Sequence, residues 1–159
     1  MIRLNIWLQI FIYSFIFMNT LIAQKVEITS EEMHAENIKK KVHFIGNVNI
    51  KQNESWIHAD KVIVYFNEHN ETRQYNATGN VTFEFKELKH FYKGSANKVT
   101  YLPLKSQYIL KEKAIIEDIV NKRHVHGDKI VLDMLTGNAK VQGTKKKPVK
   151  FIFDLEKAK

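Results

Sequence analysis

Seven histidines are the first side chains to test for chemistry. His124 and His126 fall on one side of an extended segment, and His34 and His58 stand at matching places in a repeated phrase. A zinc site needs three or four nitrogen, sulfur or carboxylate donors brought close together. The chain has no cysteine, no His-x-x-x-His pair and no adjacent carboxylate pair beside these rings. They read as solvated or hydrogen-bonded histidines, with no metal and no cofactor expected. Asp60 and Asp128 suggest acid/base work, yet each precedes a lysine in a bend-like phrase, where Asp bonds nearby backbone amides. No nucleophile elbow, phosphate-binding glycine loop or zinc signature accompanies them, so no catalytic residue is assigned and an enzyme is not expected. Lys145-Lys146-Lys147 before Pro148, and the interleaved bases and aromatics of Phe85 to Lys93, match a nucleic-acid patch in composition. The sequon Asn70-Glu71-Thr72 is read as a chance match in an Asn-rich chain.

The elements that must position these residues announce themselves by repetition. His34-Ala35-Glu36-Asn37-Ile38, His58-Ala59-Asp60-Lys61-Val62, Ser95-Ala96-Asn97-Lys98-Val99 and His126-Gly127-Asp128-Lys129-Ile130 form one recurring phrase. Gly46-Asn47-Val48, Gly79-Asn80-Val81 and Gly137-Asn138-Ala139 form a second, with Glu112-Lys113-Ala114 as a degenerate member. The two alternate, so the repeating unit is a strand pair. Successive residues of a strand point to opposite faces. By that parity Gly46 and Gly79 fall on the apolar face and leave notches there. The first phrase shifts parity, with Ile57 and Ala59 odd but Val62, Val64 and Phe66 even. A bulge or bend is expected at Asp60-Lys61 and its counterparts.

Apolar-polar alternation predicts strands at Lys41 to Lys51, Trp56 to Phe66, Asn80 to Lys86, Lys98 to Leu104, Tyr108 to Ile119, Arg123 to Leu132, Ala139 to Gly143 and Val149 to Leu155. Turn signals separate them, Lys93-Gly94 among these. Ser30 to Asn37 also suits a capped helix, but the repeat favours a strand at Met33 to Ile38. The expectation is an all-β antiparallel array. With 44% apolar and 26% charged residues, the chain has the composition of a packed domain over residues 24–159.

Residues 4–24 carry no charge, and Ile6 to Ala23 are strongly apolar behind Arg3. This segment reads as an export signal over residues 1–23, cleaved near Ala23, with an uncleaved anchor as the alternative. Its removal takes away only Arg3, so the +8 surplus stays essentially with the folded part. A basic exported domain favours an anionic lipid or phosphate partner over nucleic acid. The absence of cysteine excludes disulfides and a lipidated anchor.

Parity collects Val48, Ile50, Ile57, Val62, Val64, Val81, Phe83, Phe85, Val99, Tyr101, Ile130, Leu132 and Val141 on one face. That face is either a closed core, as in any β-sandwich, or a groove for lipid.

The alternating Gly-Asn-Val and Ala-Asp-Lys-Val phrases behind an export signal resemble the OstA-like domain of the LptA lipopolysaccharide-transport family, over residues 25–143. The resemblance implies a slightly twisted β-jellyroll, open along one side, whose interior takes the acyl chains of lipid A. It implies a periplasmic carrier between the inner and outer membranes, with LptC-like and LptD-like partners and head-to-tail self-association through edge strands. Those edges are expected around Val26 to Ile38 and Val149 to Leu155. A membrane-anchored LptC-like subunit and a structural exported β-protein with a closed core are the alternatives. Glu112-Lys113 departs from the pattern, as do Gly94 and Ser95, which leaves the groove's width at the third unit open.

Overall fold

The computed structural model describes residues 25–154, so the leader, its cleavage at Ala23 and Leu155 lie outside the described residues. Strands run β1 (Val26–Thr29), β2 (Glu32–Glu36), β3 (Lys41–Gln52), β4 (Ser55–Phe66), β5 (Thr72–Glu87), β6 (His90–Leu102), β7 (Gln107–Asp118), β8 (Arg123–Asp133), β9 (Ala139–Gln142) and β10 (Lys150–Phe153). They form one sheet in the order β1-β3-β4-β5-β6-β7-β8-β10, with β2 also on β3 and β9 also on β8. Every pairing is antiparallel. The two ends of the sheet do not meet, which makes the expected open β-jellyroll of strand pairs the observed architecture.

β5 and β6 are longer than alternation suggested. Lys93-Gly94, expected as a turn, lies inside β6. Gly94 is there to admit a neighbour, because a Cβ on it would meet the carbonyl oxygen of Ile115 and come 2.6 Å from the ring of Phe83. Phe83 fills the gap in the apolar row that Gly94 leaves.

A line of irregularity crosses the sheet from β3 to β8. In the β3–β4 ladder Gly46 and Asn47 stand opposite Asp60 alone, and in β5–β6 Gly79 and Asn80 stand opposite Asn97. In β7–β8 it is Glu112 and Lys113 against Asp128. Two residues facing one is a β-bulge, which bends the strand and adds twist. All six residues of the longer side have positive φ, from 45° to 82°. This corrects the notch reading: Gly46 and Gly79 serve a left-handed backbone, not the apolar face. Gly suits that region without steric cost, and Asn is the next most tolerant residue. Glu112 and Lys113 adopt it too, so the fold line passes through the degenerate unit unchanged. The parity shift at Asp60 is present, with Ile57, Ala59, Val62 and Val64 all buried, but the surplus residue belongs to the partner strand.

The first copy of the phrase, at His34, does not sit in the register that the repeat predicts. Ile28 pairs with Ile50, which pairs with Ile57, and Met33 pairs with Phe44, which pairs with Val62. Glu31 therefore stands where Asp60 does, and its N–H donates to the carbonyl of Gly46 at 3.0 Å. The strand at Met33 ends at Glu36 rather than Ile38, and Ile38 is fully exposed in the following turn. Gly137-Asn138 is likewise no part of the fold line. It closes a hairpin in which Asp133 Oδ1 accepts from the N–H groups of Leu135 and Thr136.

The sheet folds over along this line, so each of β3 to β8 contributes to both layers. An aromatic stack joins them: Phe83 on Phe85 at 4.3 Å, Phe85 on Tyr108 at 3.7 Å, and Tyr108 on Tyr101 at 4.3 Å between ring centroids. Phe83 and Phe85 lie on one side of the line, and Tyr101 and Tyr108 on the other. Offset ring pairs add about 0.5–1.5 kcal/mol beyond area burial. The stack, with Leu110, Ile130 and Leu132, is the core that keeps the halves together.

Candidate functional site

The inner face holds a small space at one end and a larger cleft at the other. Near β1 the halves meet around a residual space of about 30 Å³, lined by Ile50, Ile57, Phe85, Tyr101 and Tyr108 among others. Near β9 and β10 they part around a cleft of about 430 Å³. Its walls are Ile116, Val125, Ile130, Leu132, Ala139, Val141, Val149 and Phe151, with Tyr92, Asp118 and Arg123 supplying the polar contacts.

The cleft exists because the last strand is split at the fold line. β9 pairs with Lys129–Leu132 of β8 in one layer, and β10 pairs with Arg123–His126 in the other. The connection between them turns at Thr144, whose carbonyl accepts from the N–H of Lys147 at 3.2 Å. β10 has a free outer edge and stays exposed, leaving Phe151 about half exposed and stacked on Phe153 at 5.4 Å. Volumes of this order suit a small organic ligand or part of an acyl chain. Arg123 and Asp118 pair across β7 and β8 at the mouth. Burial, and after it the Asp118 carboxylate, push the Tyr92 phenol above its ordinary range, so it stays neutral beside the apolar wall.

The thirteen residues assigned to the inner face by parity fall in three settings. Ile130, Leu132 and Val141 line the large cleft, while Ile50, Ile57, Phe85 and Tyr101 line the small space. Val48, Val62, Val64, Val81, Phe83 and Val99 are packed core, none more than 3% exposed. Sequence reasoning missed Ile116, Val125, Val149 and Phe151, although Ile116 and Val125 occupy the same cross-strand row as Phe83 and Gly94. The signal was available in the parity of Ala114 and Ile116 behind the degenerate phrase.

The polar residues of the opening analysis lie outside this cleft, apart from Asn138 at its margin. Asp60 Oδ2 accepts from Asn80 Nδ2 at 2.9 Å across the fold line, and His58 Nδ1 lies 2.9 Å from Asn49 Oδ1. Among the described residues no group of three His, Cys, Asp or Glu side chains is placed to hold a metal ion. His43 instead joins Lys39 and Lys41 around Glu36, whose carboxyl is held down to about 2, first by the Lys39 hydrogen bond.

An unclosed antiparallel jellyroll around an apolar interior, with a cleft beside β9 and β10, is the class of fold that these elements define. Residues 27–138 match the family model described as LptA/(LptD N-terminal domain) LPS transport protein. The chain belongs to that family, which is one of transport proteins rather than enzymes. Among solved structures it is similar to LptH of Pseudomonas aeruginosa, described as the LptA homologous periplasmic component of the conserved lipopolysaccharide transport device. That likeness has a TM-score of 0.73 at 15% identity and covers 83% of this chain and 96% of the other, and it concerns the fold. A search of curated protein sequences returns no match. Among the described residues no helix is long and apolar enough to cross a membrane.

Proposed function

We propose that this protein is a periplasmic carrier of lipopolysaccharide, taking lipid A acyl chains into the apolar interior and passing them toward the outer membrane. The observation that carries the reading is the cleft of about 430 Å³ walled by Ile116, Ile130, Leu132, Val141 and Phe151 in a chain of the lipopolysaccharide-transport family. Each buried methylene contributes about 0.8 kcal/mol, so an acyl chain that enters by half a dozen carbons gains about 5 kcal/mol. An exposed charge contact between ligand and rim contributes about 1 kcal/mol or less. Affinity therefore comes from the interior, and Arg123 orients a phosphate at the rim. No bond changes, and direction comes from an energy-consuming partner elsewhere.

In this reading Ile130, Leu132 and Val141 meet the ligand first. The deeper residues Val48, Ile50, Ile57, Val62, Val64, Val81, Phe83, Phe85, Val99 and Tyr101 face lipid only when the layers part. Export uses the leader of residues 1–23, with cleavage near Ala23. The split edges β1/β2 and β9/β10 offer backbone to LptC-like and LptD-like partners, or to a second copy head to tail. Gel filtration over a range of concentrations checks self-association.

The test is photocrosslinking in cells from a reactive residue placed at Leu132, with the product probed for lipopolysaccharide. An adduct that depends on an active inner-membrane transporter is expected at Leu132 and at Val141. A folded, exported protein silent at both positions, and at Val64, would refute the carrier reading.

A further inference from the structure

The outer surface of the third fold-line unit carries an arrangement that the apolar interior does not need. Lys98, Lys111 and Lys129 pair side by side across β6, β7 and β8. They point outward, since their neighbours Val99, Leu110 and Ile130 are buried in the core. Like charges directly opposite on neighbouring strands repel. Glu112 bonds the Lys98 ammonium at 2.7 Å and acts on Lys111 through its charge, and among the described residues no ion pair within 4 Å is formed by Lys111 or Lys129.

Immediately across the line lies a hollow of about 180 Å³, lined by Lys113, Ile115, His126, Asp128, Lys147 and Pro148. Lys113 reaches it from a left-handed backbone with φ +54°, the conformation that Asn47 and Asn80 occupy in the other two units. A lysine there is strained where asparagine is tolerated. Asp60 is hydrogen bonded by Asn80, but the corresponding Asp128 forms no ion pair with Lys113 among the described residues. Lys113 and Asp128 both line the hollow, and among the described residues Lys113 is not neutralised there by a close ion pair.

We propose that this hollow is a binding site for a phosphate ester group. Lys113 and Lys147 supply ammonium donors, and His126 supplies a third hydrogen-bonding group. Together these donors can bond the non-bridging oxygens of a phosphate ester. Asp128 is the single carboxylate in the hollow, set against two ammonium groups and the lysine row beneath. The site lies on the outer surface, so it neither depends on the interior cleft nor competes with it.

The test follows the backbone amide signals of the purified protein by NMR during titration with inorganic phosphate. A second titration uses phosphatidylglycerol vesicles, with phosphatidylcholine vesicles as the blank. Saturable shifts are expected at Lys113, Ala114, Gly127 and Lys147, and weakening by about tenfold or more in Lys113→Asn combined with Lys147→Gln. Lys113→Asn is chosen because asparagine already holds that backbone at Asn47 and Asn80, and Lys51→Gln serves as a control that leaves affinity unchanged. Saturation by phosphate alone supports a soluble phosphate ester as the ligand, and saturation by phosphate and phosphatidylglycerol together supports a lipid headgroup. Shifts spread over all lysines without saturation, or equal affinity in the double variant, would overturn the site.

Discussion

Adding a side chain at one left-handed position of the fold line and removing one at another should shift stability in opposite directions. Gly79 has φ +82°, and a Cβ there would stand inside the Asp60 carboxylate. An L-residue in the left-handed region costs about 1–2 kcal/mol. Displacing Asp60 also breaks its 2.9 Å bond from Asn80, worth about 0.5–1.5 kcal/mol. Ala recovers about 0.5–1 kcal/mol of unfolded-state entropy, so Gly79→Ala should destabilise the fold by about 1–2.5 kcal/mol. Lys113→Gly removes the left-handed penalty at φ +54° and returns about 0.5–1 kcal/mol of it as unfolded-state entropy. It should stabilise by about 0.5–1 kcal/mol. Urea unfolding followed by circular dichroism measures both, with an unchanged m-value confirming that the unfolded state is the same. A cost below about 0.5 kcal/mol for Gly79→Ala, or the same sign for both variants, would refute the account of the line as a left-handed bulge.

Ala139→Phe, placed on the cleft wall at an exposed position, should exclude about three methylenes and weaken acyl-chain binding by about 50-fold, without lowering the urea midpoint. Displacement of a fluorescent fatty acid reads the change. Phe85→Ala should destabilise by about 3–5 kcal/mol, because it removes the ring that stacks on both Phe83 and Tyr108. Gly94→Ala should cost about 1–3 kcal/mol by pushing on Phe83 and the Ile115 carbonyl, seen as a lower thermal midpoint. The Glu36 carboxyl is depressed to about 2, so its stabilisation is complete above the ordinary value of 4.5 and fades as pH falls toward 2. Glu36→Gln should flatten that part of the stability profile, as measured by unfolding between pH 5 and about 2.

Period-2 alternation carries the strand class and the inner face, because a β-strand writes burial directly into parity. Leu132 and Val64 follow the same rule in different units. What parity does not encode is how far apart the two layers stand. Val64 at 3% exposure and Val141 on the cleft wall look alike in sequence, and only the split of the last strand into β9 and β10 separates their roles. The repeated phrases located the fold line but misassigned its mechanism. Gly46 was read through its missing side chain, whereas its backbone angle is what matters. The first copy slipped because Glu31 lacks the Asp-Lys dress of its equivalents, while Glu36 in His34-Ala35-Glu36 imitates it five residues later. The Gly94 exception was legible as a departure, but its cause is the ring of Phe83 on the adjacent strand, a contact between residues distant along the chain.

A barrel must satisfy strand number, shear and tilt at once, because its last strand has to find its first. This sheet carries no such obligation. Its cross-section is set locally, by one fold line and the rows on either side of it, and nothing in that cross-section refers to how many hairpins precede or follow. Length is therefore a free variable. Duplicating one Gly-Asn and Asp-Lys hairpin would extend the trough by about 10 Å while leaving the wall rows in register. The architecture is a conduit measured out in strand pairs, whose reach can change without redesigning what it holds.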